Sequence, residues 1–131
     1  MRRLVLLALA ALLALPALAS AKEISSLVLC GTNGCHGVPG EAAKRGFENG
    51  AQTVVPDRAE PFYSVNVRMR ADGGDAPRFT VRFLPRAGRI RSSAEMGAPY
   101  WTQPAPALLA ALRKAARGLE PKPASRLLRP V

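Results

Sequence analysis

Two stretches of the chain alternate between apolar and polar residues so strictly that an antiparallel β-hairpin is the simplest structure burying all their apolar side chains together. Residues 63–70 read YSVNVRMR, setting Tyr63, Val65, Val67 and Met69 on one side of an extended backbone and Ser64, Asn66, Arg68 and Arg70 on the other. Residues 78–85 read RFTVRFLP and repeat the pattern, with Phe79, Val81 and Phe83 against Arg78, Thr80 and Arg82. Between them ADGGDAP supplies a turn-rich loop. Placing Met69 opposite Phe79 and Arg70 beside Arg78 gathers every apolar side chain on one face. A slip of one residue would mix the faces, so the pattern demands an even register sum.

The rest of the chain supplies neighbours for this hairpin. EISSLVLCG begins with alternation and becomes an apolar run over residues 27–30, which reads as an inner strand covered on both faces. GTNG then offers glycine and asparagine for a tight turn, and CHGV starts a return strand, so two cysteines flank the neck of a first hairpin. EAAKRGFEN reads as a short helix with Ala43 and Phe47 four residues apart, interrupted by Gly46 and closed by Gly50. QTVVPD gives a brief strand that Pro56 ends, and RIR a short strand with Ile90 inward. SSAEMGAPYWTQ is irregular, anchored to the core by Tyr100 and Trp101. Residues 104–117 read as a helix, with prolines tolerated in its first turn and a stripe of Leu108, Leu109, Leu112, Ala116 and Leu119. Arg113, Lys114 and Arg117 complement its dipole, and Gly118 follows its end. The tail EPKPASRLLRPV is proline-rich and basic, and is expected to be disordered unless Leu127 and Leu128 dock. The fold class is therefore α+β: a mainly antiparallel sheet of four or five strands with a C-terminal helix packed on one face.

The N-terminus points to export. MRR is a short positive region, residues 4–18 are an uninterrupted apolar run, and ASA gives small residues for a signal-peptidase cut after Ala21. The run is shorter than the roughly 20 residues that span a bilayer comfortably, so the mature chain is expected to be extracytoplasmic or secreted and not membrane-spanning. The expected organisation is a signal peptide at 1–21, a single domain at 22–120 and a Pro-rich basic tail at 121–131; the mature length suits one hydrophobic core. The formal charge of the full chain is +10. Such a balance attracts polyanions, although the excess of arginine over lysine, with abundant alanine, glycine and proline, is also what a GC-rich genome produces. No aromatic-and-basic pattern supports nucleic acid, and none is expected as a partner.

CGTNGCH, residues 30–36, holds both cysteines and the sole histidine of the chain. It partly resembles the c-type haem attachment site, Cys-x-x-Cys-His, but four residues separate Cys30 from Cys35, the turn chemistry suits a hairpin, and no second histidine exists for the far side of the iron. Haem or redox chemistry through Cys30, Cys35 and His36 is thus a minor alternative. A redox dithiol usually has its cysteines two apart at a helix N-terminus, and a structural zinc needs a fourth ligand. The favoured reading is a disulfide between Cys30 and Cys35 across the hairpin neck, worth roughly 2 kcal/mol for so short a loop. No cofactor or metal is assigned.

With one imidazole and no nucleophile paired to a base, the residues suggest a binding protein rather than an enzyme. The polar face of the alternating hairpin carries Arg68, Arg70, Arg78 and Arg82, and clustered guanidinium groups suit carboxylate or phosphate oxygens. This face is the candidate anion-binding site, its partner an anionic envelope polymer, a lipid head group or an acidic protein; the plainer reading is a solvated sheet face. The alternative function is that of a protease-inhibitor-like protein presenting the clamped loop of residues 31–34. The Ala-Leu signal, the Cys-Gly-x-x-Gly-Cys turn, the arginine-rich strand pair and the Ala-Leu-Arg helix together resemble small exported proteins of GC-rich actinobacteria. That resemblance carries over no activity and no site residues.

Overall fold

The computed structural model describes residues 24–48, 51–53, 59–70, 77–92 and 100–127; the signal region, the loop of residues 71–76, Met96 and Leu128 lie outside the described residues. Seven strands form one antiparallel sheet: β1 (Ile24–Cys30), β2 (Cys35–Gly37), β3 (Ala51–Thr53), β4 (Tyr63–Met69), β5 (Arg78–Leu84), β6 (Arg89–Arg91) and β7 (Trp101–Gln103). Their spatial order is β2-β1-β4-β5-β6-β7-β3. Two helices, α1 (Glu41–Glu48) and α2 (Pro106–Ala115), pack together on one face. The α+β class holds, with more strands than the four or five expected. Four of the seven are only three residues long, and Trp101–Gln103 pairs with β6 and β3 where an irregular stretch was expected.

The alternating hairpin forms as β4 and β5, but its register is Val67 to Phe79 and Arg68 to Arg78, not Met69 to Phe79. The Met69 N–H bonds to the Pro77 carbonyl at 2.9 Å and extends the same ladder. A shift by two leaves every face unchanged, so alternation is blind to it. Tyr63, Val65, Val67, Val81 and Phe83 are buried with Leu27 and Leu29 of β1, Ile90 of β6, and Leu108, Leu112 and Ala115 of α2. Full burial of a side chain such as Phe83 or Leu108 contributes about 2–3 kcal/mol, and this layer dominates the stability of the domain.

Two glycines allow close approach. Gly46 does not interrupt α1; a Cβ there would lie 2.9 Å from the Cβ of Leu108, so its absence lets α1 settle on α2. Gly31 meets the tail, as described below. The chain path from β2 through α1 to β3 runs from one edge of the sheet to the other.

The opposite, outer face has a cover of its own at one end. After α2, a turn through Gly118, at φ +78°, brings the chain round the end of the sheet: Leu119 still packs against the helix-side core, and residues 122–127 cross the outer face. Phe62 and Lys122 form an antiparallel bridge with backbone bonds of 3.0 and 2.7 Å, and Leu127, 2 % exposed, enters a second apolar cluster with Phe62, Leu84 and Trp101. Leu127 therefore docks. Trp101 is an anchor, as expected, but Tyr100 is exposed and is not. Among the described residues no helix is long and apolar enough to cross a membrane.

Candidate functional site

Cys30 and Cys35 are joined by a disulfide and face one another as a cross-strand pair of β1 and β2. A bond from the Gly31 N–H to the Gly34 carbonyl, 2.9 Å, closes the turn between them. With both sulfurs bonded to each other, neither is a thiolate for haem or metal. The polar groups of the turn point to the chain after α2. The Thr32 N–H donates to the Glu120 carbonyl at 2.9 Å. The Asn33 amide donates to the Gly118 carbonyl at 3.2 Å and accepts from the Glu120 N–H at 2.7 Å. His36 Nδ1 donates to the Ala115 carbonyl at 2.7 Å, satisfying an acceptor left over at the helix end. A Cβ on Gly31 would stand 2.1 Å from the Glu120 oxygen, so the two backbones touch. The loop expected to be presented to another protein is thus engaged within its own chain.

The four candidate arginines occupy three different settings. Arg82 is 5 % exposed, lies 5.0 Å from the centre of the Phe62 ring, and donates to the Arg126 carbonyl at 2.8 Å and to that of Leu127. Arg91 donates to the same Leu127 carbonyl at 2.6 Å, and Lys122 donates to Ser64 Oγ at 2.8 Å. Burial, then neighbouring Arg91, lowers the Arg82 pKa; burial, then Arg126 and Arg82, lowers that of Lys122. Arg82 therefore holds the chain end down and is not open to a ligand. Arg70 is exposed just past the end of β4.

Arg68 and Arg78 are the remaining pair. They are exposed, directly opposite one another in the β4–β5 ladder. Both line an outer-face groove of about 420 Å³ with Ser26, Val28, Asn66 and Thr80. Among the described residues, the segment up to Leu127 covers the Ser64–Arg82 end of this face, and the groove lies beyond it. Val28, expected to be covered on both sides, is half-buried there. Thr80 Oγ1 donates to Asn66 Oδ1 at 3.0 Å, which turns the Asn66 amide towards Cys30, 3.7 Å from its sulfur. The floor thus sets polar side chains beside the apolar Val28, with two charges at one end. Asn66 and Thr80 were readable as outward residues of the alternating strands. Nothing in the sequence places Ser26 and Val28 beside them, because β1 joins the hairpin from a distance in the chain. No family model, curated protein or solved structure matches the chain, so the geometry alone carries the functional reading.

Proposed function

We propose that the chain is an exported, non-enzymatic binding module that takes an anionic group of an envelope polymer, lipid head group or acidic protein into the outer-face groove between Arg68 and Arg78. One observation carries this reading: two exposed arginines face each other across a ladder, beside a concave surface with uncharged polar neighbours. Like charges directly opposite each other on a sheet are destabilising, and an oxyanion shared between two guanidinium groups removes that repulsion. The signal-like N-terminus and the disulfide support an extracytoplasmic setting.

The test compares the protein with its Arg68→Gln/Arg78→Gln variant for retention on an anionic polymer at low and high salt. Binding should weaken about tenfold or more, as expected when charge-assisted hydrogen bonds are removed, and lose most of its salt dependence. Thermal stability should be unchanged or slightly higher. Equal retention of the variant, or retention insensitive to salt, would sink the proposal.

A further inference from the structure

The turn between the cysteines lies where the chain passes from the helical face of the sheet to its outer face, and four contacts there hold the crossing: Thr32 and Asn33 on Glu120, Asn33 on Gly118, and His36 on Ala115. What holds the turn itself is slight. β2 is three exposed residues at a sheet edge, paired with β1 over three positions, and the disulfide is the covalent cross-link that locks the two strands. Cys35 is an exposed residue while Cys30 is half-buried, so an external thiol has the more open approach at Cys35. We propose that the Cys30–Cys35 disulfide is a redox-sensitive clasp: its reduction by a dithiol frees the segment of residues 122–127 from the outer face without unfolding the sheet.

The chemistry balances with the dithiol as reductant. One of its thiolates attacks Cys35 Sγ; a sulfur–sulfur bond to Cys35 forms, and Cys30 leaves as a thiolate that takes up a proton. The second thiol of the reductant then attacks the mixed disulfide and Cys35 leaves, so that the protein gains two electrons and two protons and the reductant departs as a cyclic disulfide. Residues 31–34 lose the restraint that keeps Asn33 aligned with both Gly118 and Glu120. The segment beyond is then held by the Tyr63 hydroxyl on the Leu119 carbonyl, the packing of Leu119 on the core, the Phe62–Lys122 bridge, the Lys122–Ser64 bond, the Leu127 side chain and the bonds from Arg82 and Arg91, without the register that the turn imposes on its start. Its release uncovers Phe62, Leu84 and Trp101 with two buried or half-buried arginines, a surface different in kind from the Arg68–Arg78 groove.

Hydrogen exchange by mass spectrometry, on the protein with its disulfide formed and after dithiothreitol, tests this directly, with the emission of Trp101, the single tryptophan, as a second signal. Amides of residues 119–127, together with that of Phe62, should exchange about tenfold faster after reduction, and Trp101 emission should shift to the red, while residues 65–67 and 81–83 keep their protection. Asn33→Ala, which leaves both sulfurs in place, should loosen the same segment, and reduction should then add less than it does in the parent. Unchanged exchange and emission on reduction would overturn the proposal. So would loss of protection throughout the sheet, which would make the disulfide a tie for the whole fold.

Discussion

Gly31 and Gly37 stand six residues apart in the same hairpin and make opposite predictions. A methyl group on Gly31 has the Glu120 carbonyl in its way at 2.1 Å, whereas one on Gly37 meets nothing within 4 Å. Gly31→Ala should cost about 2 kcal/mol or more, because neither backbone can give way without moving the turn, and Gly37→Ala should stay within about 0.5 kcal/mol of the parent. Chemical denaturation of the two variants checks this. At this scale the sequence is legible for identity and face but not for surroundings. Alternation puts Arg68, Arg78 and Arg82 on one face, and so the structure finds them. It says nothing of what covers that face, and so Arg82, which looks like its neighbours, is buried under main-chain carbonyls while Arg68 and Arg78 are open. Asn33 likewise reads as a turn former, and its hold on Gly118 and Glu120 leaves no trace in local sequence.

Among the elements, those with strong periodicity were legible: β4, β5, α2 and the Cys30–Cys35 hairpin all form where the pattern puts them. Three-residue strands have too little sequence to alternate, and β7 exists because β6 and β3 offer it partners on both sides. The tail was harder, since proline and basic residues look like disorder and the docking of Leu127 depends on partners far away in the chain. The Leu127 side chain is the tail's part of the outer-face cluster with Phe62, Leu84 and Trp101, so Leu127→Ala should cost about 2–4 kcal/mol of the docking of residues 122–127. The expected outcome is a red-shifted Trp101 emission with little change in far-ultraviolet circular dichroism. An unshifted emission would mean that Phe62 and Leu84, not Leu127, shield the indole.

The described residues form a sheet with two unequal covers, two helices on one face and, on the other, one segment that bridges Phe62 and ends in a 3-10 turn over Ala124–Arg126. The second cover brings Lys122 and Arg126 close to Arg82 and Arg91, and stability should therefore depend on pH and salt with a definite sign. Lys122 has a folded pKa below its ordinary 10.5, so up to that pH the unfolded chain binds more protons than the folded one and stability rises with pH. Tyr63, raised above its ordinary 10.0 by burial, has the opposite sign: beyond that pH the folded chain keeps a proton the unfolded chain loses, and stability falls. The urea midpoint should climb as the pH rises towards the ordinary lysine range and decline beyond the ordinary tyrosine range, and the climb should vanish in Lys122→Met. Added salt should raise the midpoint by screening the repulsion. The stitch between Asn33 and residues 118–120 has a consequence in time as well as in space. Its partners lie 85 and 87 positions apart, so this contact closes a loop that spans most of the domain. Closures of that length come late in folding because the chain entropy must be given up before the contact rewards it. A chain that emerges N-terminus first presents the Cys30–Cys35 hairpin long before the residues it is shaped to hold, and for that interval the outer face, with Phe62, Leu84 and Trp101, stands open.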